Sequence, residues 1–207
     1  MGLVAGLSIM LFFSLLALWR TRRLLREVCH RYGLAVRDID LYKDKSERDS
    51  LTGAYNAGTI RHMVDHHIQE TEGGCGGFVM LDVDYFKKVN DTMGHQAGDK
   101  VLKTMVCSLR SAVRDGDIIG RLGGDEFCIF LPNIGSYSNL CDFCNRIIKL
   151  IEKRTAGAAF MDYPVTISVG GVMLSESEKN FTGLYKRADK ALYEAKGRGR
   201  NTCCVLA

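Results

Sequence analysis

The chain has 207 residues, 46% hydrophobic and 25% charged, which is enough for one core of ordinary globular type with an appendage. Its formal net charge of +4 is concentrated where Arg20, Arg22, Arg23, Arg26 and Arg31 crowd together, so the rest is nearly neutral and charge gives no case for nucleic-acid binding. Eight cysteines are scattered through a chain too long and too apolar to need disulfide staples, and they read as reduced thiols.

Residues Leu3 to Trp19 form an uncharged apolar run closed by a Trp and then by arginines. Such a run lies at the short end of what crosses a bilayer, and the expectation is a single-pass transmembrane helix over residues 1–19. A cleaved leader is the competing reading, disfavoured because the arginines follow the run instead of preceding it. Over residues 20–48, Leu25, Val28, Tyr32, Ala35, Ile39 and Tyr42 recur at alternating spacings of three and four. That spacing predicts a helical stalk pairing as a parallel two-stranded coiled coil, with a lone amphipathic connector as the alternative.

Asp49-Ser50-Leu51-Thr52-Gly53 is a polar turn with capping residues, and a helix is expected from Asn56 to about Glu70 before the glycine-rich break ending at Gly77. Gly77 to Asp82 is a short apolar run ending in an acid, as expected of a buried strand that carries a carboxylate at its tip. After Val83 to Asp91 and Gly94 to Asp99 comes an amphipathic helix from about Lys100 to Val113. Asp117 to Leu122 and Glu126 to Leu131 flank Gly123-Gly124 and read as a β-hairpin whose glycines supply positive φ angles and let a ligand approach the backbone. A helix near Ser138 to Lys153, a strand from Val165 to Met173, a helix from Phe181 to Lys196 and an edge strand from Thr202 to Leu206 complete the chain. The order predicts an α+β fold, an antiparallel-sheet palm with helices on one face.

If the first strand lies beside the hairpin, Asp82, Asp125 and Glu126 meet at one end of the sheet. Three acids there call for cations, and hard divalent ions carrying a polyphosphate suit them. Lys87, Lys196 and Arg200 are available as phosphate clamps. Cys141 and Cys144 sit inside a predicted helix without a second pair, and His62 and His66 read as a polar helix face.

These residues fall into a recognisable pattern. Asp49-x-Leu51-Thr52-Gly53-x-x-Asn56, Asp82-Val83-Asp84-x-Phe86-Lys87-x-x-Asn90-Asp91, Gly94-His95-x-x-Gly98-Asp99, Gly123-Gly124-Asp125-Glu126-Phe127, Ser168-x-Gly170, Ala188-Asp189-x-Ala191-Leu192-Tyr193-x-Ala195-Lys196 and Gly199-Arg200-Asn201 together resemble the GGDEF diguanylate cyclases, over residues 49–207. Ala57 departs from the family, which usually has Arg there. The resemblance implies a ferredoxin-like, nucleotidyl-cyclase-like palm that condenses two GTP into cyclic di-GMP with release of two pyrophosphates.

Carried over residue by residue, the resemblance implies that Asp82, the Val83 carbonyl, Asp125 and Glu126 hold Mg²⁺ or Mn²⁺, two ions per GTP site. Asp125 would also assist deprotonation of the ribose hydroxyl, while Glu126 completes the metal shell or ties down Arg121. Asn90 and Asp99 would read guanine. Phe86, Lys87, His95, Gly123, Gly124, Lys196 and Arg200 complete the substrate-binding set, with a helix-capping role as the alternative for His95. Arg114 and Asp117 match the spacing of an R-x-x-D site through which cyclic di-GMP inhibits. The expected partners are GTP, the product, and a second copy in a homodimer, with room for a partner sensor protein. The expected location is a bacterial cytoplasmic (inner) membrane, with the catalytic domain in the cytoplasm. The alternative function is an inactive GGDEF-like module that only binds GTP or cyclic di-GMP.

Overall fold

The computed structural model describes residues 18–27, 30, 46–70, 76–156, 165–175 and 180–206. It separates into two units, Met1–Ser46 and Glu47–Ala207.

In the first unit, residues 18–27 are helical and exposed. This stretch carries Arg20, Arg22, Arg23 and Arg26 and stacks Arg23 on Trp19 at 5.6 Å. Among the described residues no helix is long and apolar enough to cross a membrane, which corrects the expected inner-membrane location; of the helix expected over residues 1–19, only Leu18 and Trp19 are among the described residues. Residues 1–17, and of the stalk seam Val28, Tyr32, Ala35, Ile39 and Tyr42, lie outside the described residues.

The second unit is built on six strands: β1 (Tyr55–Asn56), β2 (Gly77–Val83), β3 (Ile118–Gly123), β4 (Glu126–Leu131), β5 (Ile167–Met173) and β6 (Cys203–Leu206). Its helices are α1 (Ala57–Glu70), α2 (Phe86–Met93), α3 (His95–Ala112), α4 (Tyr137–Thr155) and α5 (Phe181–Gly197). The strands lie in the order β1-β3-β4-β2-β5-β6. Neighbours β3–β4, β4–β2 and β2–β5 are antiparallel, whereas β1–β3 and β5–β6 are parallel. The sheet is therefore mixed, not antiparallel throughout. The parallel pair β5–β6 follows from the intervening α5, a crossover long enough to bring the chain back in the same direction.

Helices cover both faces, a second correction to the expected one-sided palm. Successive residues of β2 point to opposite sides, so Val79 and Leu81 pack in one buried cluster with Val101, Met105 and Leu109 of α3 and Ile147 and Ile151 of α4. Phe78 and Met80 face the other way, with Ile60 and Val64 of α1 and Leu184, Ala188 and Leu192 of α5. Burial on both sides explains why β2 reads as a continuous apolar run instead of alternating.

Candidate active site

Asp82, near the end of central strand β2, stands opposite Glu126 on β4 and Ser168 on β5. The hairpin brings Asp125 to the same end, in a two-residue turn between β3 and β4. Gly124 has φ +48°, the left-handed value that a turn of this kind needs. Gly123 is not among the positive-φ glycines and belongs to β3, so only one of the two glycines has the conformational role expected of both.

Arg121 braces this turn. Its Nε and Nη2 donate to the Gly124 carbonyl at 3.0 and 2.6 Å, and its Nη1 donates to Asp49 Oδ1 at 2.9 Å. Glu126 does not tie it down, contrary to one of the two roles expected of that residue. Asp49 also accepts from the Thr52 amide at 2.9 Å and the Thr52 hydroxyl at 2.6 Å. Partial burial pushes the Asp49 carboxyl up, but these donors and the Arg121 charge outweigh it and hold the group below its ordinary value.

Lys196, in the last turn of α5, reaches Asp82 with Nζ–Oδ2 at 2.8 Å. Burial raises the Asp82 carboxyl above its ordinary value; Lys196 opposes this, and Asp125 and Asp84 add repulsion. Burial also raises Glu126, and Asp82 next to it adds to the effect. The three expected acids thus share one electrostatic neighbourhood. Among the described residues, no three His, Cys, Asp or Glu side chains are already arranged to hold a metal ion. The donor chemistry nevertheless suits a hard divalent cation: carboxylate oxygens crowded enough to repel one another, with a main-chain carbonyl at Val83 beside them.

Asp84 was legible as part of the motif, but its role was not. It is 4% exposed and accepts from the Thr166 and Ser168 hydroxyls at 2.7 and 2.6 Å and from the Asn201 amide at 3.0 Å. It knots the strand tip to the segment following α5, with every oxygen satisfied by a neutral donor. Arg200 of that segment stacks on Tyr85.

On the other side of the tip, α2 and α3 meet at Gly94. The Asn90 amide lies so close to Gly98 that any Cβ there would collide with it, and the Phe86 ring is also adjacent. Gly98 is thus a space requirement for Asn90. Asp99 follows it directly on the exposed side of α3, His95 opens the same helix, and Lys87 is exposed on α2.

Arg114 and Asp117 enclose a turn before β3: the Arg114 amide donates to Asp117 Oδ2 at 2.7 Å and the Asp117 amide to the Arg114 carbonyl at 3.1 Å. Both line a cavity of about 350 Å³ with Asp115, Pro132, Asp142 and Arg146. Arg146, on α4, donates to the Ala112 carbonyl at 3.0 Å and stacks on Phe143. No local pattern in the sequence ties it to the distant R-x-x-D turn.

A mixed sheet covered by helices, with acids at a strand end beside a two-residue turn and a lysine above them, defines a palm built to meet a charged ligand. The family model for the diguanylate cyclase GGDEF domain matches residues 46–202, and the chain belongs to that family. It is 34% identical over 180 residues to the probable diguanylate cyclase DgcT of Escherichia coli strain K12, covering 86% of this chain and 39% of that protein. The crystal structure of the GGDEF domain of DgcB from Caulobacter crescentus in complex with c-di-GMP superposes with a TM-score of 0.71 at 28% identity, covering 77% of this chain and 93% of that one. Diguanylate cyclase SiaD from Pseudomonas aeruginosa, in complex with its activator SiaC, superposes with a TM-score of 0.73 at 28% identity, covering 99% of this chain and 79% of that one. The chain spans between about a quarter and a half of the length of the curated relatives it matches.

Proposed function

We propose that this chain is a diguanylate cyclase that condenses two GTP into cyclic di-GMP and releases two pyrophosphates. The observation that carries this reading is the strand-end juxtaposition of Asp82 and Glu126 with Lys196 on Asp82, in a chain of the GGDEF family.

In the reading, the Asn90 side-chain amide donates and accepts along the guanine edge, and the Asp99 carboxylate accepts from the paired N1 and N2 donors that adenine lacks. Phe86 and His95 line the nucleotide, while Gly123 and Gly124 leave the hairpin backbone open to the triphosphate; a Cβ at either glycine would meet nothing within 4 Å. Lys87, Lys196 and Arg200 hold phosphate oxygens, and the 2.8 Å pair with Asp82 keeps the Lys196 ammonium at the strand tip before substrate arrives. Asp125 takes the proton from the attacking 3′-hydroxyl. Mg²⁺ or Mn²⁺, two per site, held by Asp82, the Val83 carbonyl, Asp125 and Glu126, would supply neutralisation of the pyrophosphate charge. Because the hydroxyl of one GTP must meet the α-phosphate of another, each site is half of a reaction centre and a homodimer completes it. Product feedback acts at Arg114 and Asp117. An activating protein partner, of the kind SiaD has in SiaC, fits the same scheme.

The test is Asp125→Asn, which keeps shape and removes charge. Purified parent with GTP and Mg²⁺ is expected to yield cyclic di-GMP, and the variant to lose at least about a hundredfold of that rate. A variant retaining parental activity would overturn the assignment of Asp125.

A further inference from the structure

Three residues other than glycine have left-handed backbones among the described residues, and all of them lie around one aspartate: Tyr85 at φ 56°, Arg200 at φ 65° and Asn201 at φ 45°. Tyr85 follows Asp84 directly, and Asn201 donates its amide to that carboxylate at 3.0 Å. A left-handed conformation costs a bulky residue on the order of 1 kcal/mol, and such a cost persists only where the surroundings impose it. Here it turns two side chains toward each other. The Arg200 guanidinium lies 4.8 Å from the centre of the Tyr85 ring. The ring itself is 63% exposed, so packing in the core does not account for its size or its orientation.

We infer that Tyr85 is a positioning residue for Arg200: its ring is a platform that holds the guanidinium beside the strand tip before GTP binds. This rests on the cyclase reading above, in which Arg200 meets substrate phosphate. The physical gain is entropic. Arginine has a long, rotamer-rich side chain, and confining it in advance lowers the cost of ordering it on a phosphate. The ring face neutralises no charge, so the guanidinium keeps its attraction for the anion; a carboxylate partner would compete with the phosphate where the ring does not. Lys196 and Arg200 are therefore pre-organised differently, the lysine by Asp82 and the arginine by an aromatic face.

The test compares Tyr85→Asn with Tyr85→Phe in the full chain. Asparagine tolerates a left-handed backbone better than tyrosine, so this variant removes the ring without adding strain. An exposed cation–π contact is worth a factor of about three to five in an equilibrium constant. Tyr85→Asn is expected to raise KM for GTP about three- to fivefold with kcat changed less than about twofold, Tyr85→Phe to keep the parental KM, and Tyr85→Asn to add nothing in an Arg200→Ala background. Parental KM in Tyr85→Asn, or an equal further loss in the Arg200→Ala background, would overturn the inference while leaving the cyclase reading intact. Should the parent turn over no GTP, the cyclase reading fails, and calorimetric titration with GTP decides the inference separately. A three- to fivefold weaker affinity in Tyr85→Asn alone supports it, whereas equal affinities, or a parent that binds no GTP, overturn it.

Discussion

Asp82 and Glu126 face each other across β2 and β4, and both hold their protons more tightly than free carboxylates because burial penalises the charged forms. Repulsion from Asp125 and Asp84 adds to this at Asp82, and repulsion from Asp82 and Asp125 at Glu126, while Lys196 opposes it at both. The sign of the consequence follows from linkage. Folding raises both values above the ordinary 3.8 and 4.5, so the folded state binds more protons in the window above those numbers. Stability of the metal-free protein therefore falls as pH rises through the raised values and is regained on acidification toward the ordinary ones. Partial exposure screens the effect and keeps it small. Glu126→Gln in protein treated with chelator is expected to raise Tm at neutral pH by about 1–3 °C and to flatten the acid-side dependence of Tm. A lower Tm in that variant would show that Glu126 has a stabilising partner and is not one of a repelling pair. Asp84, only two residues from Asp82, has a different part, because three neutral donors bind its carboxylate. The sequence could show that both aspartates belong to one pattern, but not that one is a knot and the other a site, since the donors come from Thr166, Ser168 and Asn201 far along the chain.

At the scale of elements, the hairpin was readable because its signals are local: apolar runs on either side of a glycine pair, with Gly124 taking the left-handed turn. Helix α2 was not. It is eight residues long, holds two Lys, one Asn and one Asp, is preceded by Tyr85 in a left-handed conformation and has no side-chain cap, so capping does not announce it and two turns are too short for the spacing of its apolar residues to stand out. The parallel placement of β1 and β6 was equally hidden, because a strand of two residues and a strand of four carry too little pattern to state a direction. The R-x-x-D turn shows both sides of this. Its two ends are readable from spacing, whereas Arg146 enters the same cavity from α4. Since β3 begins at Ile118, directly after Asp117, that cavity lies at the base of the strand that leads to the Gly124 turn. Arg114→Ala is expected to weaken cyclic di-GMP binding about ten- to a hundredfold by calorimetry and to relieve product inhibition, leaving GTP turnover at low product unchanged. Equal affinity in parent and variant would exclude this cavity as the feedback site.

Over the whole molecule, the described palm accounts for Glu47–Ala207, and its ends bear on function in different ways. Asp49, at its start, is tied through Arg121 to the Gly124 carbonyl of the hairpin turn, so the entry to the domain is joined directly to that turn. Lys196 and Arg200, near its end, are brought back to the strand tip by α5 and the segment after it. Groups separated by most of the domain's length thus meet at the tip, and this convergence is what no single stretch of sequence could reveal. The most direct test of the account is the stoichiometry of the reaction. Purified chain incubated with GTP and Mg²⁺ is predicted to consume two GTP and release two pyrophosphates for each cyclic di-GMP formed, with ATP giving no cyclic product. GTP bound without turnover, or pyrophosphate released with no cyclic di-GMP, would contradict it.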